Sequence, residues 1–218
     1  MPENFPNPLH HSGVVAVLVI DAVEDAVPTA RALLEGGIKS IELTLRTPVA
    51  MEALRRIIAE VPEVTVGMGT VLTPAQVHEV RSAGAAFGVA PGMNPRVVAE
   101  ARHIGLPFAP GVCTPSDIEL ALEQECRILK FFPAQASGGL AYLRSVAAPF
   151  LHLGVKFIPL GGIDIEEAGA FLREPCVQAL GGSWLAPRAW ISRKDWAGIT
   201  ANAKAATALV ARVRGGLS

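Results

Sequence analysis

The chain has 218 residues, of which half are hydrophobic and 18% are charged, and this balance suits one compact domain with a large interior. The formal net charge is -1, and the sequence has neither the basic stripe of a nucleic-acid-binding protein nor an acidic tail. Its three cysteines, Cys113, Cys126 and Cys176, are too widely spaced for a metal motif, so we expect free thiols, a cytoplasmic protein and no bound metal.

The first 13 residues are rich in proline and polar side chains and lack the basic start and apolar core of a signal peptide. We expect residues 1–13 to form a flexible arm before a single domain that covers residues 14–218. The apolar run VVAVLVI (14–20) is too short to span a bilayer and is typical of a buried strand.

Short apolar runs alternate with longer amphipathic stretches along the rest of the chain. The eight candidate strands cover residues 14–20, 40–46, 64–69, 86–90, 107–111, 127–132, 156–161 and 177–182. The candidate helices cover residues 21–37, 47–60, 73–84, 94–105, 114–125 and, at the C-terminal end, 193–213. Four of these helices open with Thr-Pro or Asn-Pro, a favourable pairing of cap and first-turn residues.

Strand, short turn, capped helix and next strand make a unit that predicts parallel strands with right-handed crossovers. About eight such units in roughly 200 residues predict an α/β protein with (β/α)8 TIM barrel architecture, in which eight parallel strands form one ring. The alternative is an open doubly wound sheet, but no G-x-G-x-x-G motif follows the first strand. In a barrel, the active site lies at the C-terminal ends of the strands.

The second candidate strand carries polar residues at alternate positions. Glu42, Thr44 and Arg46 share one face, and the apolar residues between them share the other. Because the apolar face should meet the helices, we expect the polar face to point into the barrel. The alternative is an edge strand with a solvated face, which a closed barrel does not have.

Lys130 lies within the apolar and aromatic run ILKFF (128–132). Alternation places it on the same face as Phe132, near the C-terminal end of its strand. Loss of water favours the neutral form of a lysine amine, and a neutral amine forms Schiff bases with carbonyl compounds. The alternative is a surface lysine whose aliphatic stem packs on Phe132.

Glycine pairs end the last two candidate strands, in PLGGI (159–163) and LGGSW (180–184). Loops after the seventh and eighth strands are the usual phosphate site of a barrel, where glycine lets backbone N–H groups approach an anion. The alternative is that these glycines only make tight turns. Together with Lys130 they predict an enzyme for a phosphorylated keto compound, in which Glu42 moves protons and Arg46 binds a carboxylate. The iminium would replace a metal as the electron-withdrawing group.

Seven motifs in order resemble the bacterial 2-keto-3-deoxy-6-phosphogluconate (KDPG) and 4-hydroxy-2-oxoglutarate (KHG) aldolases. The resemblance extends from about Val14 to about Pro187, and the motifs are IELTLRTP (41–48), VGMGTVLTP (66–74), APGMNP (90–95), PGVCTPSD (110–117), LKFFPAQASGG (129–139), PLGGI (159–163) and GGSWL (181–185).

This resemblance implies a homotrimer of (β/α)8 barrels and a class I aldolase that needs no metal or other cofactor. It implies that Lys130 is the Schiff-base lysine and Glu42 the catalytic glutamate. The implied binding residues are Arg46 and Thr70 for the substrate carboxylate, Pro91 and Phe132 for the pyruvyl part, and Gly161, Gly162, Gly182 and Ser183 for the phosphate.

Three positions depart from the family pattern. Leu160 stands where the family usually has Thr, Gln135 where we expect Glu, and Ala90 where we expect Ser. Leu160 removes a hydroxyl beside the distal end of the substrate, so we treat it as a specificity residue. The leading hypothesis is cleavage of KDPG to pyruvate and glyceraldehyde 3-phosphate; the alternatives are the same chemistry on KHG or another 2-keto acid, and a non-catalytic barrel that binds a phosphorylated metabolite.

Overall fold

The computed structural model describes residues 13–215, so residues 1–12 of the predicted arm and residues 216–218 lie outside the described part. The described strands, all in parallel pairs, are β1 Val14–Leu18, β2 Ser40–Thr44, β3 Thr65–Gly69, β4 Gly88–Val89, β5 Phe108–Ala109, β6 Gly111–Val112, β7 Ile128–Phe131, β8 Lys156–Pro159 and β9 Leu180–Gly182. The described α-helices are α1 Ala26–Glu35, α2 Ala50–Glu60, α3 Pro74–Ser82, α4 Pro95–His103, α5 Pro115–Glu123, α6 Gly139–Ala147, α7 Ile165–Leu172, α8 Arg188–Ser192 and α9 Trp196–Gly215.

The strands form a curled six-stranded sheet in the order β5-β4-β3-β2-β1-β9 and a three-stranded sheet in the order β6-β7-β8. The fifth candidate strand is divided at Pro110, since β5 pairs with β4 whereas β6 pairs with β7. Proline has no N–H for a ladder bond, which explains the break, while its carbonyl accepts from the Lys130 N–H at 2.9 Å. One isolated parallel bridge, Phe157 to Val177, connects β8 to the segment before β9.

Three of the four helices that were predicted to open with Thr-Pro or Asn-Pro begin where the sequence predicts. In α3, α4 and α5 proline is the first residue, and Thr73, Asn94 and Thr114 accept a backbone N–H of the first turn. The prediction for α2 was wrong by two residues, because this helix begins at Ala50 and not at Pro48. Thr47 donates its hydroxyl hydrogen bond to the Ile20 carbonyl at 2.6 Å instead of capping the helix.

Side-chain alternation produces two separate apolar layers. The larger layer lies between the sheets and the helices and includes Ile41, Leu43 and Phe131. The smaller layer lies on the inner face of the curled strands and consists of Val15, Val17, Phe87, Val89, Ala109, Ile158, Leu160 and Ala179. Within residues 13–215, no helix is both long and apolar enough to cross a membrane.

Candidate active site

An ion pair between Glu42 and Lys130 is the central feature of the inner face. The Lys130 Nζ atom lies 3.0 Å from Glu42 Oε1 and 3.3 Å from Oε2. The Lys130 side chain is only 10% exposed and the Glu42 side chain only 5%. Removing two charges from water costs several kcal/mol per ion, about as much as the attraction returns. Such a pair therefore indicates a functional site more strongly than a stabilising contact.

Two distant strands bring these side chains together. Glu42 is on β2 and pairs in register with Gly67 of β3, while Lys130 is on β7 between Gly111 and Ile158. Thr44, two residues after Glu42, donates its hydroxyl hydrogen bond to the Leu18 carbonyl at 2.8 Å. Lys130 and Glu42 thus lie on the inner face, as alternation along their strands predicts.

Apolar side chains surround the ion pair. A small cavity beside it is lined by Glu42, Lys130 and the apolar residues Val15, Phe87, Val89, Ile158 and Leu160. The Phe132 ring centroid lies 5.5 Å from the Lys130 amine. In such a setting an amine can act as a nucleophile while the adjacent carboxylate receives and returns protons.

The residues that the resemblance assigns to the substrate carboxylate differ in their placement. β2 ends at Thr44, so Arg46 lies beyond the strand and is exposed rather than on the buried inner face that the sequence predicts. Thr70 directly follows β3 and is half-buried. Pro91 is near Lys130, because its backbone packs on Gly111, the register partner of the lysine.

The two glycine pairs lie next to each other. Gly161 and Gly162 have φ angles of 101° and 80°, a left-handed conformation that favours glycine. Leu160, just before them, packs so closely on Gly181 that a Cβ atom there would overlap its side chain. Gly182 is buried at the end of β9, and Ser183 is exposed at the start of the next turn, Ser183–Leu185.

A surface ion pair lies just outside this region. Arg188 at the start of α8 donates two hydrogen bonds to Asp21, which follows β1, at 2.6 and 2.7 Å. The hydrogen bond from Arg188 holds the pKa of the Asp21 carboxyl below its ordinary value. Both side chains are largely exposed, so the pair contributes little to stability.

The apolar walls of the cavity were not predicted from the sequence. Val15, Phe87 and Val89 alternate with outward-facing residues, so the same rule that placed Lys130 could have placed them. Gly69, whose backbone packs against the Glu42 carboxylate, was not predicted either. Within residues 13–215, no three His, Cys, Asp or Glu side chains are grouped to hold a metal ion. Metal-free chemistry remains a prediction.

Comparison with known proteins identifies the relatives of this chain. A family model described as KDPG and KHG aldolase matches residues 6–202. The chain belongs to this aldolase family. It is 44% identical over 188 residues to the 2-dehydro-3-deoxy-phosphogluconate aldolase of Treponema pallidum, which covers 86% of this chain and 89% of the relative.

Other members of the aldolase family are similarly close. The KHG/KDPG aldolase of Escherichia coli is 42% identical over 193 residues, covering 88% of this chain and 90% of that protein. The KDPG aldolase of Legionella pneumophila, solved with pyruvate captured at low pH as a covalent carbinolamine intermediate, superposes with a TM-score of 0.87 at 39% identity. That comparison covers 91% of this chain and 96% of the Legionella chain.

Proposed function

We propose that this chain is a class I aldolase, an aldehyde-lyase that cleaves KDPG to pyruvate and glyceraldehyde 3-phosphate. The observation that carries the proposal is the buried Lys130 amine, 3.0 Å from a buried carboxylate in an apolar cavity. Family membership and the covalent pyruvate intermediate of the Legionella relative support the same chemistry. A non-catalytic binding protein would need neither the buried amine nor the acid.

The reaction begins at the Lys130 amine. The amine adds to the C2 ketone of the substrate, and the carbinolamine loses water to give an iminium. The iminium draws electrons from the C3–C4 bond, which breaks while Glu42 takes the proton of the C4 hydroxyl and glyceraldehyde 3-phosphate departs. Glu42 returns the proton to C3 of the enamine, and hydrolysis of the resulting iminium releases pyruvate and the free amine.

The remaining site residues bind the two ends of the substrate. Arg46 and Thr70 would hold the carboxylate, an assignment that requires the exposed Arg46 side chain to turn toward the cavity. Pro91 and Phe132 would border the pyruvyl part. The adjacent glycine loops, with Gly161, Gly162, Gly182 and Ser183, would hold the phosphate through backbone N–H groups and one hydroxyl.

Leu160 favours a second candidate, in which the same residues act preferentially on KHG or another 2-keto acid. Its side chain lines the cavity beside Lys130 and is 5% exposed. An apolar side chain at this position offers no hydrogen bond to a polar substrate end, and one such bond contributes about 1 kcal/mol.

A kinetic panel tests the proposal and separates its two candidates. Pyruvate release is measured with KDPG, KHG and two further 2-keto acids under identical conditions. We expect kcat/KM to be highest for KDPG, and a higher value for KHG would favour the second candidate. Absence of pyruvate release from every substrate would refute the aldolase proposal.

We further propose a closed eight-stranded barrel, a single domain, a cytoplasmic location and a homotrimer. Support for the barrel comes from β5 and β6, which follow each other in the chain and pair with different sheets, and from the Phe157 bridge beyond β8. If β5 and β6 are counted as one strand, the strands within residues 13–215 number eight. The trimer is implied by the family resemblance.

A further inference from the structure

Two glycines occupy the inner face of β3. Gly67 and Gly69 are the register partners of Glu42 and Thr44 and therefore face the interior. The Phe87 ring occupies the space over Gly67, and the Glu42 carboxylate together with the Val89 side chain occupies the space over Gly69. A Cβ atom at residue 69 would approach Glu42 Oε1 to well under 3.0 Å, a separation that real Cβ atoms essentially never show.

The space over Gly69 is filled, and a left-handed backbone is not what requires glycine there. The φ of Gly69 is not positive, unlike that of Gly161 or Gly162, so an L-residue could adopt the same backbone. β3 cannot easily retreat, because the Leu45 N–H donates to the Gly69 carbonyl on one side. On the other side, the Val71 N–H donates to the Val89 carbonyl at 3.0 Å.

Within residues 13–215, only Lys130 donates hydrogen bonds to the Glu42 carboxylate. Among the described residues, no other donor reaches either of its oxygens. In the proposed reaction the Lys130 nitrogen becomes part of an iminium and loses hydrogens that it could donate. From that point one N–H at most remains on this nitrogen, so the position of the carboxylate depends more on packing against Gly69 and neighbours such as Val89.

We propose that Gly69 is a positioning residue, whose missing side chain lets the Glu42 carboxylate lie where it can exchange a proton with the substrate. This inference rests on the proposed function. An ordinary contact begins at 3.4 Å, so a methyl group at residue 69 displaces the carboxylate by about 1 Å. A displacement of about that size can lower a rate roughly 100-fold.

The test compares Gly69→Ala with the wild type in three assays. We expect kcat for cleavage and the exchange of pyruvate methyl protons with D2O to fall about 100-fold. The final yield of the borohydride-reduced pyruvate adduct should stay near the wild-type value, since the amine remains. Gly169→Ala, on α7, is the matched control, because the added Cβ atom would lie at an ordinary 3.5 Å from the Leu209 side chain. We expect this variant to show wild-type rates.

A double-mutant cycle keeps the inference testable if Gly69→Ala is unstable. Thermal unfolding is measured for the wild type, Gly69→Ala, Glu42→Ala and the double variant. We expect Gly69→Ala to lower Tm less when Glu42 is already Ala, because the overlapping carboxylate is gone. An equal loss of Tm in both backgrounds, or wild-type exchange in Gly69→Ala, would overturn the inference. A wild type that forms no adduct and shows no exchange would refute the proposed function itself.

Discussion

Glu42 and Lys130 are ionic partners of each other within the apolar inner face. Each is buried, and the separation of 3.0 Å lets the amine and carboxylate share protons directly. The other residues that line the adjacent cavity are apolar and have no side-chain group that could compete for the same proton. In the proposed mechanism the pair would therefore supply both the nucleophile and the proton carrier within one small volume.

Glu42→Gln should separate binding at the amine from proton transfer. The amide keeps the size of the side chain but cannot take the hydroxyl proton, so we expect kcat to fall by about 10²- to 10⁴-fold. The pyruvate adduct on Lys130 should still be recovered after borohydride reduction. Cleavage kinetics and intact-protein mass measure the two effects, with Glu119→Gln on the exposed face of α5 as the control. Cleavage at the wild-type rate would remove Glu42 from the mechanism.

The sequence predicted side-chain direction correctly inside regular strands and incorrectly beyond a strand end. Alternation placed Lys130 and Glu42 on the inner face because both lie inside regular strands. Arg46 was placed on the same buried face, but the strand ends two residues earlier and the side chain is exposed. Gly69 lies against the Glu42 carboxylate because β2 and β3 are in contact, and a local sequence pattern does not reveal that contact.

At the scale of elements, glycine at residue 111 allows the loop after β4 to touch β6. A Cβ atom there would overlap the Pro91 backbone carbonyl, and backbone cannot move as a flexible side chain can. We expect Gly111→Ala to lower stability by about 1–3 kcal/mol through overpacking. Thermal unfolding measures this, and Gly92→Ala, which meets nothing within 4 Å, should leave Tm unchanged. Equal Tm values for the two variants would contradict the predicted contact.

Asp117 should make the stability of the α5 start depend on pH. Burial raises the pKa of its carboxyl, but hydrogen bonds from the Cys113 and Thr114 N–H groups outweigh burial and leave the pKa below the ordinary 3.8. A lowered folded-state pKa means that the stabilisation is present above the unfolded-state value and is lost as pH falls through the folded-state value.

Asp117→Ala should therefore lower Tm by roughly 2–4 °C near pH 7, as expected for a cap of about 1 kcal/mol. The difference from the wild type should shrink steadily below about pH 4. Thermal unfolding between pH 2 and pH 7 measures it, with Ser116→Ala, an exposed neighbour, as the control. A Tm difference that is constant with pH would show that the carboxylate charge does not matter.

Helix starts were predicted well where the cap is local. Thr73, Asn94 and Thr114 each bond to their own first turn, so sequence alone is sufficient. Thr47 has the same signature, yet it bonds across to Ile20, a tertiary contact that the pattern cannot show. We predicted no bounds for α6, which begins after Gly138 with φ of 115° and has no proline pair.

At the scale of the whole molecule, the parallel strands and the two apolar layers follow from the repeated strand and helix units. The division into sheets of six and three strands was not predicted. It depends on two interruptions, namely Pro110 in the fifth strand and the single bridge from Phe157 to Val177 where β8 and β9 would otherwise pair. The chain length and the regular spacing of the strand and helix units were sufficient to predict the fold class. The number of strands depends on individual backbone hydrogen bonds between neighbouring strands, which the sequence pattern does not show.

Assembly is tested on the intact protein. The resemblance implies a homotrimer, so light scattering after gel filtration should give about three times the chain mass of 22.8 kDa. We expect the same mass at low and high protein concentration if the trimer is stable. A mass of one chain across the concentration range would contradict the predicted assembly without affecting the chemistry at Lys130.

Trapping of the pyruvate adduct tests the central claim most directly. The protein is incubated with pyruvate, reduced with borohydride and digested, and the modified peptide is identified by mass spectrometry. We predict a single reduced adduct on Lys130, its loss in Lys130→Ala, and its retention in Lys156→Ala, a lysine whose amine donates to the Pro175 carbonyl at 2.8 Å. An unmodified wild type, or an adduct on another lysine, would contradict the account.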